Sequence, residues 1–245
     1  MVEHAIILAA GLGTRLKPLT DHAPKCMTEV HGTPILLNAL RNLRENSIEQ
    51  CTIAIGYMAP AIKSAVGSEF EGLRVSYVYN HIYENTNDMY SLWLARNVLE
   101  RGALILEGDV FFRAEILRRA RSVMGERSYY LAGKYRGKEN EVWIETDYRL
   151  RVTSITALRN GSGPIGKHTY LSSGMLVVQP EYGRVFSRWL TEFVQNRRVN
   201  LLFDDILSEH ALEAELYVFE IEDSNWVEID TREDLSRAET TFTMP

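Results

Sequence analysis

The chain has 245 residues, 45% of them hydrophobic, and carries 27 basic against 33 acidic residues for a net charge of -6. That length suits one large α/β domain or two small ones, with enough apolar material for a sizeable core. The mild acidity argues against a nucleic-acid binder, whose footprint is a basic stripe.

The N-terminal apolar run is short and soon broken by glycine, with no basic leader or small-residue cleavage site. It is therefore expected to be neither a signal peptide nor a membrane span. No later stretch approaches the ~18 apolar residues that a spanning helix needs. Cys26 and Cys51 are the only cysteines, and no CxxC is present. A disulfide framework and a zinc ribbon are both unexpected, and a reducing cytoplasm is the expected compartment.

In chain order, residues 5–9 read as a buried strand, 35–44 as an amphipathic helix, 52–55 as a strand and 59–65 as a short helix. A strand at 74–79, a helix at 90–99 and a strand at 103–107 come next. Strand alternating with helix implies βαβ units and a mostly parallel, twisted sheet flanked by helices, of Rossmann-like kind. The ligand crevice then belongs at the carboxyl ends of the strands. After about residue 128 the pattern changes to strands at 129–132, 142–145, 152–158 and 171–178. Helices at 182–195 and 201–212, a strand at 216–221 and a last helix from 231 complete the chain. Residues 159–167 (RNGSGPIGK) read as a loop. With no clean linker, residues 1–245 are expected to form a single domain on one continuous sheet. Its halves would be nucleotide-binding (1–128) and acceptor-binding (129–245).

The sharpest local signal is Leu8-Ala9-Ala10-Gly11-Leu12-Gly13-Thr14-Arg15-Leu16-Lys17-Pro18-Leu19, completed by Pro24-Lys25. A buried strand leads into a loop with two glycines and small neighbours, where backbone N–H groups can close on an anion. Arg15 adds a planar fork suited to phosphate oxygens, and Lys25 a point charge that can follow the transferred phosphorus. A P-loop is excluded because GxxxxGK[ST] is missing, and position 16 is Leu16 rather than the third glycine of a dinucleotide fingerprint.

These residues resemble the signature of the sugar-nucleotide pyrophosphorylase-like nucleotidyltransferases. Within that superfamily the chain is similar to the bacterial phosphocholine cytidylyltransferases and their phosphonate-directed relatives. The similarity runs nearly the whole length. It rests on the loop, on Ile55-Gly56-Tyr57, on Asn85-Thr86-Asn87-Asp88-Met89-Tyr90-Ser91-Leu92, on Asp109 and on Glu228-Ile229-Asp230-Thr231. The resemblance implies that Gly11, Gly13, Thr14 and Arg15 hold a nucleoside triphosphate, with Leu8, Ala9, Ala10 and Leu12 completing the loop. It also implies that Lys25 bridges donor and acceptor phosphates.

Two anions meeting at one phosphorus need a cation between them, and Mg²⁺ is the expected one. Asp109 stands at the carboxyl end of a parallel strand, where the crevice opens. Glu228 and Asp230 lie two apart, so on a strand both carboxylates would share a face. Asp230 could instead cap the helix that begins at Thr231. The resemblance implies that Asp109 and Asp230 are metal ligands, with Glu228 as a further candidate. Arg15, Lys25, Asp109 and Asp230 are the expected catalytic set. No protein nucleophile is required, because the acceptor phosphate is already ionised.

Gly56 and Tyr57 end the second strand, where a base could slot, and Asn87 and Ser91 could read the edge of a pyrimidine. The alternative for residues 85–88 is simple helix capping. For an ammonium-bearing acceptor the candidates are Glu141, Trp143, Tyr170, Phe203, Asp204 and Trp226, since ring faces and anions hold such cations. The same rings could equally be core. The leading expectation is transfer of CMP from CTP to the phosphate or phosphonate of a small amine-bearing molecule, of phosphocholine or aminoethylphosphonate type. Transfer from UTP or dTTP to a sugar 1-phosphate is the alternative, and a non-catalytic nucleotide-binding module a third. Neither nucleic acid nor membrane insertion is expected of this chain.

Overall fold

The computed structural model describes residues 2–123, 125–135, 142–157 and 166–243. The elements of the first half are β1 (His4–Ala9), β2 (Glu29–Val30), β3 (Thr33–Pro34), α1 (Ile35–Glu45), β4 (Gln50–Ile55), α2 (Ala59–Val66), β5 (Glu69–Phe70) and β6 (Leu73–Tyr79). They are followed by α3 (Asp88–Leu94), α4 (Arg96–Leu99), β7 (Ala103–Glu107), β8 (Val110–Phe112) and α5 (Glu115–Val123). The second half adds β9 (Ser128–Lys134), β10 (Val142–Thr146), β11 (Val152–Ala157), β12 (Thr169–Val178), α6 (Pro180–Gln195), α7 (Phe203–Glu209), β13 (Leu216–Glu220), β14 (Trp226–Glu228) and α8 (Arg232–Thr241).

One sheet runs β11-β10-β12-β7-β1-β4-β6-β5, with β9 beside β12 and β13 beyond β9. Its centre, β7-β1-β4-β6, is parallel. β12 joins that centre antiparallel to β7, which puts the strands of both halves on the same sheet. The central strand explains its own sequence. Ile6 and Leu8 pack into the cluster on one face, and Ala5, Ile7 and Ala9 into the cluster on the other. A strand buried on both faces reads as an unbroken apolar run. No helix among the described residues is long and apolar enough to cross a membrane.

Besides the short strands β2, β3, β5 and β14, for which no element was expected, the structure departs from the expected elements in three places. The helix expected over 90–99 is two helices, α3 and α4, meeting at Ala95, whose φ of -92° and ψ of 8° leave the helical region. Second, β8 and α5 fill a stretch for which no element was expected. There Ile116, Leu117 and Ala120 supply a buried face amid arginines. Third, the helix expected over 201–212 is only the shorter α7. The expected loop 159–167 lies outside the described residues except for Gly166 and Lys167.

Two local features of the strands shape the crevice. β14 lies antiparallel to β8, Glu228 opposite Val110, and the Ile229 amide donates to the Asp109 carbonyl at 3.0 Å. That carries the C-terminal acidic segment back to the end of β7. In β12 the register shifts between Ser172 and Met175. Gly174 sits there at a φ of +67°, and a Cβ on it would lie 2.6 Å from Glu107 Oε2. Glycine is needed at this bulge both for the left-handed backbone and to leave room for the Glu107 carboxylate.

Candidate active site

A cavity of about 830 Å³ opens at the carboxyl ends of the parallel strands. β1 delivers the glycine loop to it, β6 delivers Asn80, and β7 delivers Glu107, Gly108 and Asp109. In the loop the Gly13 backbone is left-handed, with φ +63°, and a Cβ there would lie 2.8 Å from Lys25 Cβ. Any side chain at position 13 would therefore strain the turn and push Lys25 aside. Thr20 Oγ1 donates to the Gly13 carbonyl at 2.8 Å, and the Tyr57 hydroxyl donates to the Thr20 carbonyl at 3.1 Å. These bonds fold the 14–25 segment back over the strand ends. The amides of Gly11, Leu12 and Gly13 have no acceptor among the described residues. They are thus left for an anion at the cavity mouth.

At the cavity's centre the Lys25 ammonium lies between two carboxylates. It donates to Asp109 Oδ2 at 2.5 Å and to Asp230 Oδ1. Arg15 reaches Asp230 Oδ1 at 2.8 Å while its side chain stays 67% exposed. Burial pulls the Lys25 pKa down, but the charges and hydrogen bonds of Asp109 and Asp230 more than offset it, so the net shift is upward. Burial likewise favours the neutral form of Asp230, and Lys25 and Arg15 reverse that, leaving its carboxyl below the usual range.

The capping alternative for Asp230 does not hold. Thr231 is the N-cap of α8: its Oγ1 accepts from the Asp234 amide, and Asp234 Oδ2 accepts from the Thr231 amide. The Asp230 carboxylate is left to face the cations. Asn87, by contrast, does cap α3, its Oδ1 accepting from the Asp88 amide at 3.0 Å. It still lies on the cavity wall, as does Ser91.

Three carboxylates, those of Glu107, Asp109 and Glu228, each offer an oxygen within 4.8 Å of the others. Asp109 Oδ1 is buried and has no hydrogen-bond partner. Such an all-oxygen set, with one orphaned buried oxygen, fits a hard divalent cation. Asp230 is outside this group and shares Lys25 with Asp109 instead. Glu107 was not among the sequence candidates. Burial raises its pKa well above the ordinary value, and the charges of Asp109, Glu228, Asp88 and Asp204 add to the effect.

The cavity wall includes Leu8, Ala9, Ala10, Gly11, Gly13, Thr14, Arg15, Lys25, Asn87, Ser91, Asp109, Asp204, Glu228 and Asp230 among the residues singled out from sequence. Leu12, Gly56 and Tyr57 stand beside it rather than on it. Trp143, Tyr170, Phe203 and Trp226 are all buried, the most exposed at 7%, and none faces the cavity. Glu141 lies outside the described residues. Sequence reading missed Asn80, which is 1% exposed. Its Nδ2 donates to Thr86 Oγ1 at 2.9 Å and to Ser91 Oγ at 3.1 Å, tying the strand end to the α3 entry.

A second acidic pair lines the same cavity, Asp204 buried and Asp88 half-buried. Asp88 Oδ1 accepts from the Phe203 amide at 2.7 Å, and Asp204 Oδ1 accepts from the Tyr130 hydroxyl at 2.8 Å. That hydroxyl is also 2.7 Å from Ser172 Oγ. Burial pushes the Asp204 carboxyl up to about 7, and burial with the charge of Asp204 pushes Asp88 well above its ordinary range.

Compared with known proteins, residues 4–156 match the family described as nucleotidyl transferase. A CMP-5'-(3-aminopropyl)phosphonate synthase of Streptomyces rubellomurinus is 36% identical over 115 residues, which are 47% of this chain and 18% of that protein. A 2-aminoethylphosphonate cytidylyltransferase of Lancefieldella rimae is 28% identical over 95% of this chain and 90% of its own. Among solved structures, the CTP:phosphocholine cytidylyltransferase of Streptococcus pneumoniae superposes with a TM-score of 0.80 at 25% identity, covering 98% of this chain and 99% of the other.

Proposed function

Given that this chain belongs to the nucleotidyl transferase family and is a transferase, we propose that it moves CMP from CTP to the phosphonate or phosphate of a small amine-bearing molecule. The observation that carries the reading is the Lys25 ammonium held between Asp109 and Asp230 in the same cavity as the free amides of the glycine loop. The named activities of two full-length relatives, a 2-aminoethylphosphonate and a phosphocholine cytidylyltransferase, support CTP as donor and an amine-bearing acceptor.

In this reading an oxyanion of the acceptor attacks the α-phosphorus of CTP. A new P–O bond forms as the bond to the β-phosphate oxygen breaks, and pyrophosphate departs with the electron pair. The nucleophile arrives ionised, so no side chain has to take a proton. The loop amides and Arg15 hold the triphosphate, and Lys25 swings from its carboxylates toward the α-phosphate, where its charge lowers the repulsion between donor and acceptor. Asn87 and Ser91, braced by Asn80, read the base. Glu107, Asp109 and Glu228 would hold Mg²⁺, with Asp230 beside them. When bound, Mg²⁺ would neutralise phosphate charge. Residues 1–128 serve the nucleotide and residues 129–245 contribute the acceptor end, through Ser172 and Asp204.

Purified protein with Mg²⁺, each nucleoside triphosphate in turn and a panel of acceptors, read by pyrophosphate release, tests the assignment. CTP with an aminoalkylphosphonate or phosphocholine should give the fastest release. Faster turnover of UTP or dTTP with a hexose 1-phosphate would overturn it.

A further inference from the structure

In the reading above, Arg15 and the loop amides hold the triphosphate, and the C-terminal helix brings a second arginine to the same place. We propose that Arg237 is a pyrophosphate-binding residue: with Arg15 it grips the β- and γ-phosphates of the donor and holds them as the leaving group. The inference rests on the cavity's being a nucleotidyl-transfer site.

The described wall carries eight carboxylates and only three cationic side chains, Arg15, Lys25 and Arg237. A triphosphate entering such a wall must settle against the cations. Lys25 sits between Asp109 and Asp230 and is 17% exposed, which leaves the outer phosphates to the two arginines, 67% and 47% exposed.

Packing sets Arg237 beside Arg15. Leu16 and Ala238, the residues that follow the two arginines, are both fully buried in one apolar cluster with Val30, Ile229 and Phe242. That cluster seats α8 against the segment leaving the glycine loop. A polar chain makes the same link on the cavity side. The Asp230 carboxylate takes Arg15 at 2.8 Å, while the Asp230 amide donates to Asp234 Oδ2 at 3.2 Å. Asp234 Oδ1 in turn holds Arg237 Nη2 at 3.0 Å. Asp234 is 6% exposed, and its Oδ2 also accepts from the Thr231 amide and hydroxyl, so the brace is itself fixed.

The brace uses one nitrogen of the guanidinium, which also lies 3.5 Å from the Glu228 carbonyl. The N–H groups on Nε and Nη1 meet no acceptor among the described residues. A planar cation with donors to spare on the cavity wall suits phosphate oxygens. The acceptor end is built elsewhere, from Ser172 of β12 and Asp204 of α7, so Arg237 belongs to the donor's phosphates. As the bond from the α-phosphorus to the bridging oxygen breaks, its electron pair stays on the β-phosphate. Arg15 and Arg237 then face the added charge, and no proton moves.

The test is equilibrium binding of CTP, inorganic pyrophosphate and CMP, each with Mg²⁺ and without acceptor, to wild type and Arg237→Gln. We expect the variant's Kd for CTP and for pyrophosphate to rise at least about ten-fold, as losing hydrogen bonds to a charged group implies, with CMP within about two-fold. Arg237→Lys should recover part of the loss. In turnover, pyrophosphate should become a weaker inhibitor of Arg237→Gln while KM for the acceptor holds. Arg237→Met, which keeps the aliphatic stem, reads the same lost charge should the Gln variant fold poorly. Unchanged CTP and pyrophosphate binding in a folded variant, or equal weakening of CMP and CTP, would overturn the role of Arg237 and leave nucleotidyl transfer standing. Wild-type protein that binds neither CTP nor pyrophosphate would overturn both.

Discussion

Replacing Lys25 by Met removes the charge at the centre of the clamp while keeping most of the side chain's volume. Lys25 is 17% exposed and contacts Asp109 at 2.5 Å, with Asp230 on its other side. At an effective dielectric of about 20, unit charges about 4 Å apart attract by about 4 kcal/mol. Transition-state stabilisation by one aimed electrostatic group is typically worth about 3–4 kcal/mol, or about 100- to 1,000-fold in kcat. The same substitution leaves Asp109 and Asp230 facing each other without their shared cation, so the protein free of Mg²⁺ should lose roughly 1–3 kcal/mol of stability. Pyrophosphate release at saturating CTP, acceptor and Mg²⁺ measures the first effect, and urea unfolding with and without Mg²⁺ the second. Added Mg²⁺ should restore part of the lost stability and none of the lost kcat. A kcat within three-fold of the wild type would refute the role given to Lys25.

Asp109→Asn should fold normally yet lose Mg²⁺-dependent turnover by at least about 100-fold, since it exchanges a buried charged oxygen for a neutral amide; normal activity would remove Asp109 from the mechanism. Gly13→Ala should cost about 1–2 kcal/mol for a left-handed backbone at a residue with a Cβ. It should also slow turnover by displacing Lys25, and an unchanged melting temperature with an unchanged kcat would count against the loop geometry. The Asp204 carboxyl is raised in the folded protein from 3.8 to about 7. Its contribution to stability is therefore fully present below about pH 4 and is lost as pH rises toward 7. A single group can contribute a slope of up to about 1.4 kcal/mol per pH unit in that window. Urea midpoints measured from pH 4 to pH 7 should fall less steeply for Asp204→Asn than for the wild type, and parallel profiles would refute the raised carboxyl.

The parallel centre of the sheet was legible because its strands are buried on both faces, so 5–9, 52–55 and 103–107 read as apolar runs. The glycine loop was legible because its residues answer to backbone geometry and charge within one short segment. What the sequence hid depends on long-range pairing. β8 and β14 are three residues each and exist because they pair with one another across more than a hundred residues. No periodicity can build up in so short a strand. That pairing brings Glu228 to Asp109: β14 ends at Glu228, and two residues on Asp230 meets Lys25 while keeping a side-chain hydrogen bond to Glu228.

Glu107 was passed over as the last residue of a strand, although an acidic residue two before Asp109 at a central strand's carboxyl end was a usable signal. α5 was missed although Ile116, Leu117 and Ala120 carry helical spacing, because the surrounding arginines mask a narrow apolar stripe. Asp88 and Asp204 give no local hint of sharing a cavity floor. Only the packing of α7 against α3 brings them there.

The central claim is that two anions meet at one phosphorus inside this cavity, and ³¹P NMR of the reaction reads that event directly. With CTP, Mg²⁺ and 2-aminoethylphosphonate, the phosphonate and α-phosphate signals should become mutually coupled across a new P–O–P bridge as pyrophosphate accumulates in equal amount. Pyrophosphate or phosphate appearing with the phosphonate signal unshifted would contradict it.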